Sequence, residues 1–244
     1  MRKKFLFFMI YSFTLSLGFY AGILTAWANT TSHLSQVQSG RALVFDWDDT
    51  LLPTSFLKDF SNGHLDRENL QKIRDQYHSD WLEFDRLVSS LLKAFSKKYD
   101  LYIITNARLN WLKVSSSILM PKTKKFFNKL EEKGRLLSAR EVFFQKRPWD
   151  ESLIGVKTKK DWKPFTFFSV LSRYRHIVSI GDAEFERNAL FSIPGLDKNI
   201  IKKNIKLIKR PTFYELQDQL VFLWQQWPVM VKEGEDVGVD IVIK

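Results

Sequence analysis

A chain of 244 residues, 45% of them hydrophobic and 27% charged, is too apolar to stay disordered and long enough to bury one sizeable core. Its 38 Lys and Arg against 27 Asp and Glu give a formal charge of +11, which suits an anionic partner or substrate without naming one. The absence of cysteine excludes a disulfide framework, a thiol nucleophile and a thiolate metal site.

In chain order, Arg2, Lys3 and Lys4 precede an apolar run, Phe5 to Trp27, that closes on the small-x-small pattern Ala26-Trp27-Ala28. This reads as a secretory leader over residues 1–28, and its length also suits an uncleaved membrane anchor; either way the remainder is expected outside the cytoplasm, periplasmic or secreted. The leader holds three of the positive charges and no acid, so the rest of the chain keeps +8. Residues 29–40 are polar and aperiodic and read as a linker, 41–228 as the folded domain, and 229–244 as a tail with no assigned element.

Within the domain, Ala42 to Phe45, Leu101 to Ile104 and Ile177 to Ile180 are continuously apolar, as strands of a parallel sheet covered on both faces would be. Between them Leu65 to Lys98 has apolar residues at helical spacing with Asp66 as cap. Asn110 to Leu119 and Lys122 to Lys133 read as two helices separated by Pro121 and stopped by Gly134, and Leu136 to Ser138 as a short strand. A helix from Glu184 to Phe191, a basic strand near Ile205 to Ile208, and a helix from Pro211 to Trp227 complete the pattern. The alternation predicts an α/β fold, a Rossmann-like parallel sheet flanked by helices.

Ligands of an open parallel sheet bind beyond the carboxyl ends of its strands. The first predicted strand ends there in Asp46-Trp47-Asp48-Asp49-Thr50, the second in Thr105-Asn106 and the third in Gly181-Asp182. Taken singly, an Asp or Thr at a strand end is most often a turn or cap residue. Three such ends on one sheet edge gather several carboxylates, which repel one another and call for a cation.

"DWDDT", "IITN", a lysine after the insert and "SIGDAEFE" resemble, in order, the four motifs of the haloacid dehalogenase (HAD) superfamily, in its branch of aspartate-based phosphatases, over about residues 41–211. The resemblance implies that Asp46 is the nucleophile and Asp48 the acid/base. It implies that Thr105 and Asn106 contact the phosphoryl group, and that Thr50 steadies the loop. Magnesium would be held by Asp46, by the Asp48 backbone carbonyl and by Asp182, with Glu186, four residues on, reaching it directly or through water. Lys146, Lys157, Lys159, Lys160 and Lys163 all stand between the second and fourth motifs; Lys163, just ahead of an apolar run leading to the last strand, is the choice for the lysine that neutralises the transition state.

The resemblance, together with the leader, implies an exported Mg2+-dependent phosphatase with a small helical cap or none, acting on a phosphorylated small molecule or phosphoprotein through an aspartyl-phosphate. Asp48 argues against a dehalogenase, and the absence of "TGT" after the nucleophile against an ion pump. The alternative is a catalytically silent binding or membrane-anchored protein of the same fold, using the basic run Lys122, Lys124, Lys125, Lys129 and Lys133, which otherwise reads as a solvated helix face. Nothing specifies a nucleic acid, membrane contact is expected only through an uncleaved N-terminal segment, and Trp47 would either shape access to the site or pack.

Overall fold

The computed structural model describes residues 38–146, 159–193, 200–231 and 238–240; the expected leader and most of the expected linker lie outside them. Among the described residues no helix is long and apolar enough to cross a membrane. Six parallel strands form one sheet in the order β3-β2-β1-β4-β5-β6. They are β1 (Gln38–Phe45), β2 (Asp100–Thr105), β3 (Leu136–Ser138), β4 (Tyr174–Gly181), β5 (Ile201–Lys206) and β6 (Gly238–Asp240). The chain steps outward from β1 to β3 and returns to the other side of β1 for β4, so the direction of winding reverses between β1 and β4. Helices leave opposite faces of the sheet at that point, and a crevice opens there at the strand ends.

The central strands β1, β2 and β4 bury both faces over their apolar runs, which is why those runs are continuous. Leu43, Phe45, Leu101, Ile103, Val178 and Ile180 face one way. They are covered by α3 (His78–Phe95), α4 (Leu109–Leu119), α5 (Pro121–Glu132) and α9 (Phe213–Met230). The alternate residues Ala42, Val44, Tyr102, Ile104 and Ile177 pack under α7 (Lys159–Leu171) and α8 (Glu184–Ser192). Burying each large side chain contributes roughly 1.5–3 kcal/mol before chain entropy is counted.

Three segments differ from the sequence expectation. The helical run 65–98 is two helices, α2 (Arg67–Gln76) and α3, with Asp66 accepting from Asn69 N at the start of α2. The break falls at Tyr77, whose ring still packs against Phe56 and Phe60, so the apolar rhythm passes through it unmarked. The basic strand is β5, which starts four residues earlier than expected and ends two earlier. Its lysines obscured it: Lys202 donates Nζ to Ile193 O at 2.6 Å, so the stem lies along the fold while the charge finds an acceptor. At the two ends, β1 begins at Gln38, inside the stretch read as linker, and Gly238–Asp240 pairs with β5 as an edge strand, inside the stretch read as tail. Both pairings are made by backbone, which polar side chains do not advertise.

Two further helices, α1 (Thr54–Phe60) and α6 (Ala139–Lys146), were not expected from the pattern; both are short. Lys122, Lys125, Lys129 and Lys133 are exposed along α5, and Lys124 bonds Asn128, so the basic run is a solvent-facing surface of that helix.

The start of α5 shows how the helices are fixed to one another. Its N-cap position is Met120, which has no side-chain acceptor. Asp85 of α3, 1% exposed, takes its place and accepts from Lys122 N (2.8 Å), Thr123 N (2.8 Å) and Thr123 Oγ1 (2.7 Å). Replacing Asp85 with Ala leaves these donors buried and unpaired, and is expected to cost about 2–3 kcal/mol, measured as a shift of the urea unfolding midpoint.

Candidate functional site

The chain leaves β1 through a tight turn. Trp47 O accepts the N–H groups of Leu51 and Leu52 at 3.0 Å each and that of Thr50 at 3.3 Å, while Asp49 takes a left-handed conformation, φ 54°, that Asp tolerates. Residues two apart on an extended segment point the same way. Asp46 and Asp48 therefore face the crevice, while Trp47 points into the core, fully buried, its ring edge on Phe127 and its Nε1 donating to Ser115 Oγ at 3.2 Å. Of the two roles considered for Trp47, it packs. Asp49 accepts from Ser55 N (2.7 Å) and Ser55 Oγ (2.6 Å), which ties the turn to the start of α1.

The crevice is a cavity of about 500 Å3 lined by Asp46, Asp48 and Asp49 from the turn, Thr105 and Asn106 from the end of β2, and Asp182 from the end of β4. The Asp46 N–H donates to Ile180 O at 3.0 Å, which holds the two strand ends together at the winding reversal. The expected residues Asp46, Asp48, Thr105, Asn106 and Asp182 thus share one cavity. Thr50 does not line it. It is wholly buried, with its hydroxyl unpartnered among the described residues, and the threonine that lines the cavity after this turn is Thr54.

Lys163 comes from α7 and is 1% exposed. Its Nζ lies 2.9 Å from Asp46 Oδ2 and also pairs with Glu186 of α8, itself 1% exposed. Burial alone would drive off its proton, but the two carboxylates outweigh that and hold its pKa above the ordinary lysine value. Of the other four lysines considered, Lys160 is exposed, Lys157 lies outside the described residues, and Lys146 and Lys159 are placed only as helix residues. Glu186 Oε2 accepts from Ala183 N at 3.3 Å and occupies space above Gly181, where a methyl group would come within 2.6 Å of that oxygen. Glycine at the end of β4 is therefore what lets Glu186 approach.

Asp46, Asp182 and Glu186 each offer a carboxylate oxygen within 4.8 Å of the others. When all three are ionised, Lys163 balances one of the three charges. The remaining repulsion is visible in the titration of the group: burial first, then Asp46 and Glu186, push Asp182 from 3.8 up to about 7. Burial likewise raises Glu186 against the pull of Lys163. Asp46 Oδ1 is buried without a hydrogen-bond partner among the described residues. An unpartnered carboxylate oxygen, an all-oxygen donor set and a surplus of two negative charges fit a hard divalent cation such as magnesium. Asp46 and Asp182, on the cavity wall, would hold it. Glu186, which does not line the cavity, lies behind them.

Asp48 differs from Asp46 in its surroundings. Thr54 Oγ1 and Trp111 Nε1 both donate to its Oδ1, at 2.7 and 2.9 Å, and Thr105 Oγ1 stands 3.5 Å from Oδ2. Burial, followed by the neighbouring Asp46, raises its pKa against those hydrogen bonds, which favours a carboxyl that carries a proton. Trp111, Thr54, Lys58, Leu65 and Phe185 line the cavity and were not picked out from the sequence. Trp111 had a usable signal, since it lies in the first turn of the helix that follows the Thr105-Asn106 strand end.

Comparison with protein-family models, with curated proteins and with solved structures gives no match, so what the site can do is argued from its own chemistry.

The raised Asp182 sets a pH dependence. Between about 3.8 and about 7 the folded chain keeps a proton that the unfolded chain has released, so stability falls as pH rises through that window. In chelator, the melting temperature of wild type relative to Asp182→Asn should therefore be lower at pH 8 than at pH 4. Added magnesium should recover part of the difference at pH 8, and thermal melts of both proteins at the two pH values check this.

Proposed function

We propose that this protein is an exported magnesium-dependent phosphatase of the HAD superfamily that hydrolyses phosphate monoesters through an aspartyl-phosphate. The observation that carries the reading is Asp46 itself. One of its oxygens is held by a buried Lys163, the other is unpartnered, and the group lies on a cavity shared with a second aspartate whose pKa is raised. A carboxylate paired with a fixed cation, beside a second carboxyl held by neutral donors, is the arrangement that nucleophile-plus-acid chemistry needs. The four motifs in order support the family, and the basic, apolar N-terminus supports export.

Asp46, Asp182 and Glu186 would hold the ion, which when bound would neutralise the phosphoryl oxygens so that a carboxylate can approach them. An Asp46 carboxylate oxygen attacks phosphorus, the bond to the ester oxygen breaks, and Asp48 gives its proton to the departing oxygen. Water then attacks the aspartyl-phosphate, Asp48 takes a proton from it, and the bond between Asp46 and phosphorus breaks to release phosphate. The Thr105 hydroxyl and the Asn106 side chain bind the phosphoryl oxygens. The fixed charge of Lys163 stabilises the extra negative charge of the transition state without moving.

Purified protein is expected to hydrolyse 4-nitrophenyl phosphate with magnesium and to stop when the metal is chelated. Asp46→Asn should lower kcat by at least about a thousandfold while the far-UV circular dichroism is unchanged. Mass spectrometry of acid-quenched wild type should place a phosphoryl group on Asp46. No turnover across a broad phosphomonoester panel with magnesium present would overturn the reading.

A further inference from the structure

The side of the cavity next to Asp48 differs in character from its acidic floor. Thr54 of α1 and Trp111 of α4 both donate to Asp48 Oδ1, at 2.7 and 2.9 Å, so these two helices flank that carboxyl group. Lys58 stands one turn after Thr54 on α1, and residues four apart share a helix face, which is why both line the cavity. Gly63, left-handed at φ 86°, turns the following loop back so that its N–H meets Lys58 O at 2.8 Å, and Leu65 of that loop also lines the cavity. Among the described residues Lys58 is the only basic side chain on the cavity wall. Its neighbour Asp59 pairs with Arg210 at 3.3 Å and Lys163 pairs with Asp46 and Glu186, while Lys58 has no carboxylate partner among the described residues. A lysine in the last turn of a helix is favoured by the carbonyls there. That accounts for its place on α1, but not for its facing the site.

Resting on the phosphatase reading above, we propose that Lys58 is a specificity-determining residue, and that the substrate is a small phosphate monoester whose leaving group carries a second anionic group, a carboxylate or a phosphate. In that reading the departing oxygen stands beside Asp48, so the rest of the leaving group extends along the wall made by Trp111, Leu65 and Lys58. The two apolar side chains cover its body, and the ammonium meets its charge. A cavity of about 500 Å3 is of the size that encloses a small ligand, which favours such a substrate over a phosphoprotein. The aspartates of the floor repel a second anion, so among the described residues Lys58 is the one place on the wall where it is attracted. The bond that breaks, from phosphorus to the ester oxygen, is the same with or without the second anion. Lys58 therefore acts on binding and not on the chemical step.

The test compares 4-nitrophenyl phosphate with 3- and 4-carboxyphenyl phosphate in the presence of magnesium, since nitro and carboxylate groups have nearly the same shape and differ by one charge. Lys58→Gln should lower kcat/KM for at least one carboxy ester about fivefold, the upper end of what an exposed ion pair contributes, with the loss in KM and kcat kept. The same variant should change the nitro ester by less than about twofold. Lys58→Glu should lose about tenfold on the carboxy ester, and Lys58→Arg should retain the wild-type value. Salt at about 0.5 M should shrink the difference between wild type and Lys58→Gln. Circular dichroism checks each variant, and Lys58→Glu carries the comparison if Lys58→Gln does not fold. Equal losses on nitro and carboxy esters, or no loss on either carboxy ester, would overturn the proposal and leave the phosphatase reading standing. A loss confined to a phosphoserine peptide with acidic neighbours would overturn it in favour of a protein substrate. A wild-type protein inactive on all of these esters would overturn the phosphatase reading, and the proposal with it.

Discussion

The buried ammonium of Lys163 is the constraint on which the site depends. A charge 1% exposed would be costly if it stood alone, and it is held by Asp46 on one side and Glu186 on the other. Those three groups come from β1, α7 and α8, which meet where the sheet reverses its winding. Gly181 keeps the end of β4 bare enough for Glu186 to lie over it. The ion pairs thus fix the spacing of the two strand ends, and that spacing decides where Asp46 and Asp182 stand relative to each other.

Two aspartates separated by one residue acquire different properties because the backbone between them does two things. It keeps Asp46 and Asp48 on the same side, since Trp47 is anchored in the core by Phe127 and Ser115. It then closes at once into a turn, which brings Thr54 round to Asp48. Asp46 meets a cation; Asp48 meets neutral donors and a neighbouring negative charge. The difference between them follows from environment, which is what the proposed division into nucleophile and acid requires of two chemically identical side chains.

Much of this was legible in the chain. Continuous apolar runs ending in Asp, Thr and Asp marked three parallel strands, and the topological rule placed their ends together. Lys163 was legible only by its position ahead of the run that leads to β4. What the sequence hid has physical causes. β5 reads as basic because its lysines spend their stems on packing. The break at Tyr77 involves neither Gly nor Pro. Glu186 is expected to reach a cation directly or through water, and nothing in the sequence signals that its Oε1 also pairs with Lys163 and its Oε2 with the Ala183 N–H. Thr54 and Trp111 lie on helices whose only local signal was amphipathic or absent, and a side chain that supports another leaves no pattern of its own.

The same cluster that suits a cation weakens the fold that carries it. Asp182 is raised to about 7 by its burial and then by the neighbouring carboxylates, and Asp46 Oδ1 and Asn106 Oδ1 are buried without partners among the described residues. A protein selected for stability alone would replace such groups with apolar ones or pair them. Elsewhere the chain satisfies its buried carboxylates: Asp85, equally buried, takes three hydrogen bonds and holds α5 in place. The contrast between a saturated Asp85 and an unsaturated Asp46 in one molecule separates carboxylates used to build from those kept available. On energetic grounds, and independently of any motif, it marks the end of β1 as the place where a ligand can be held.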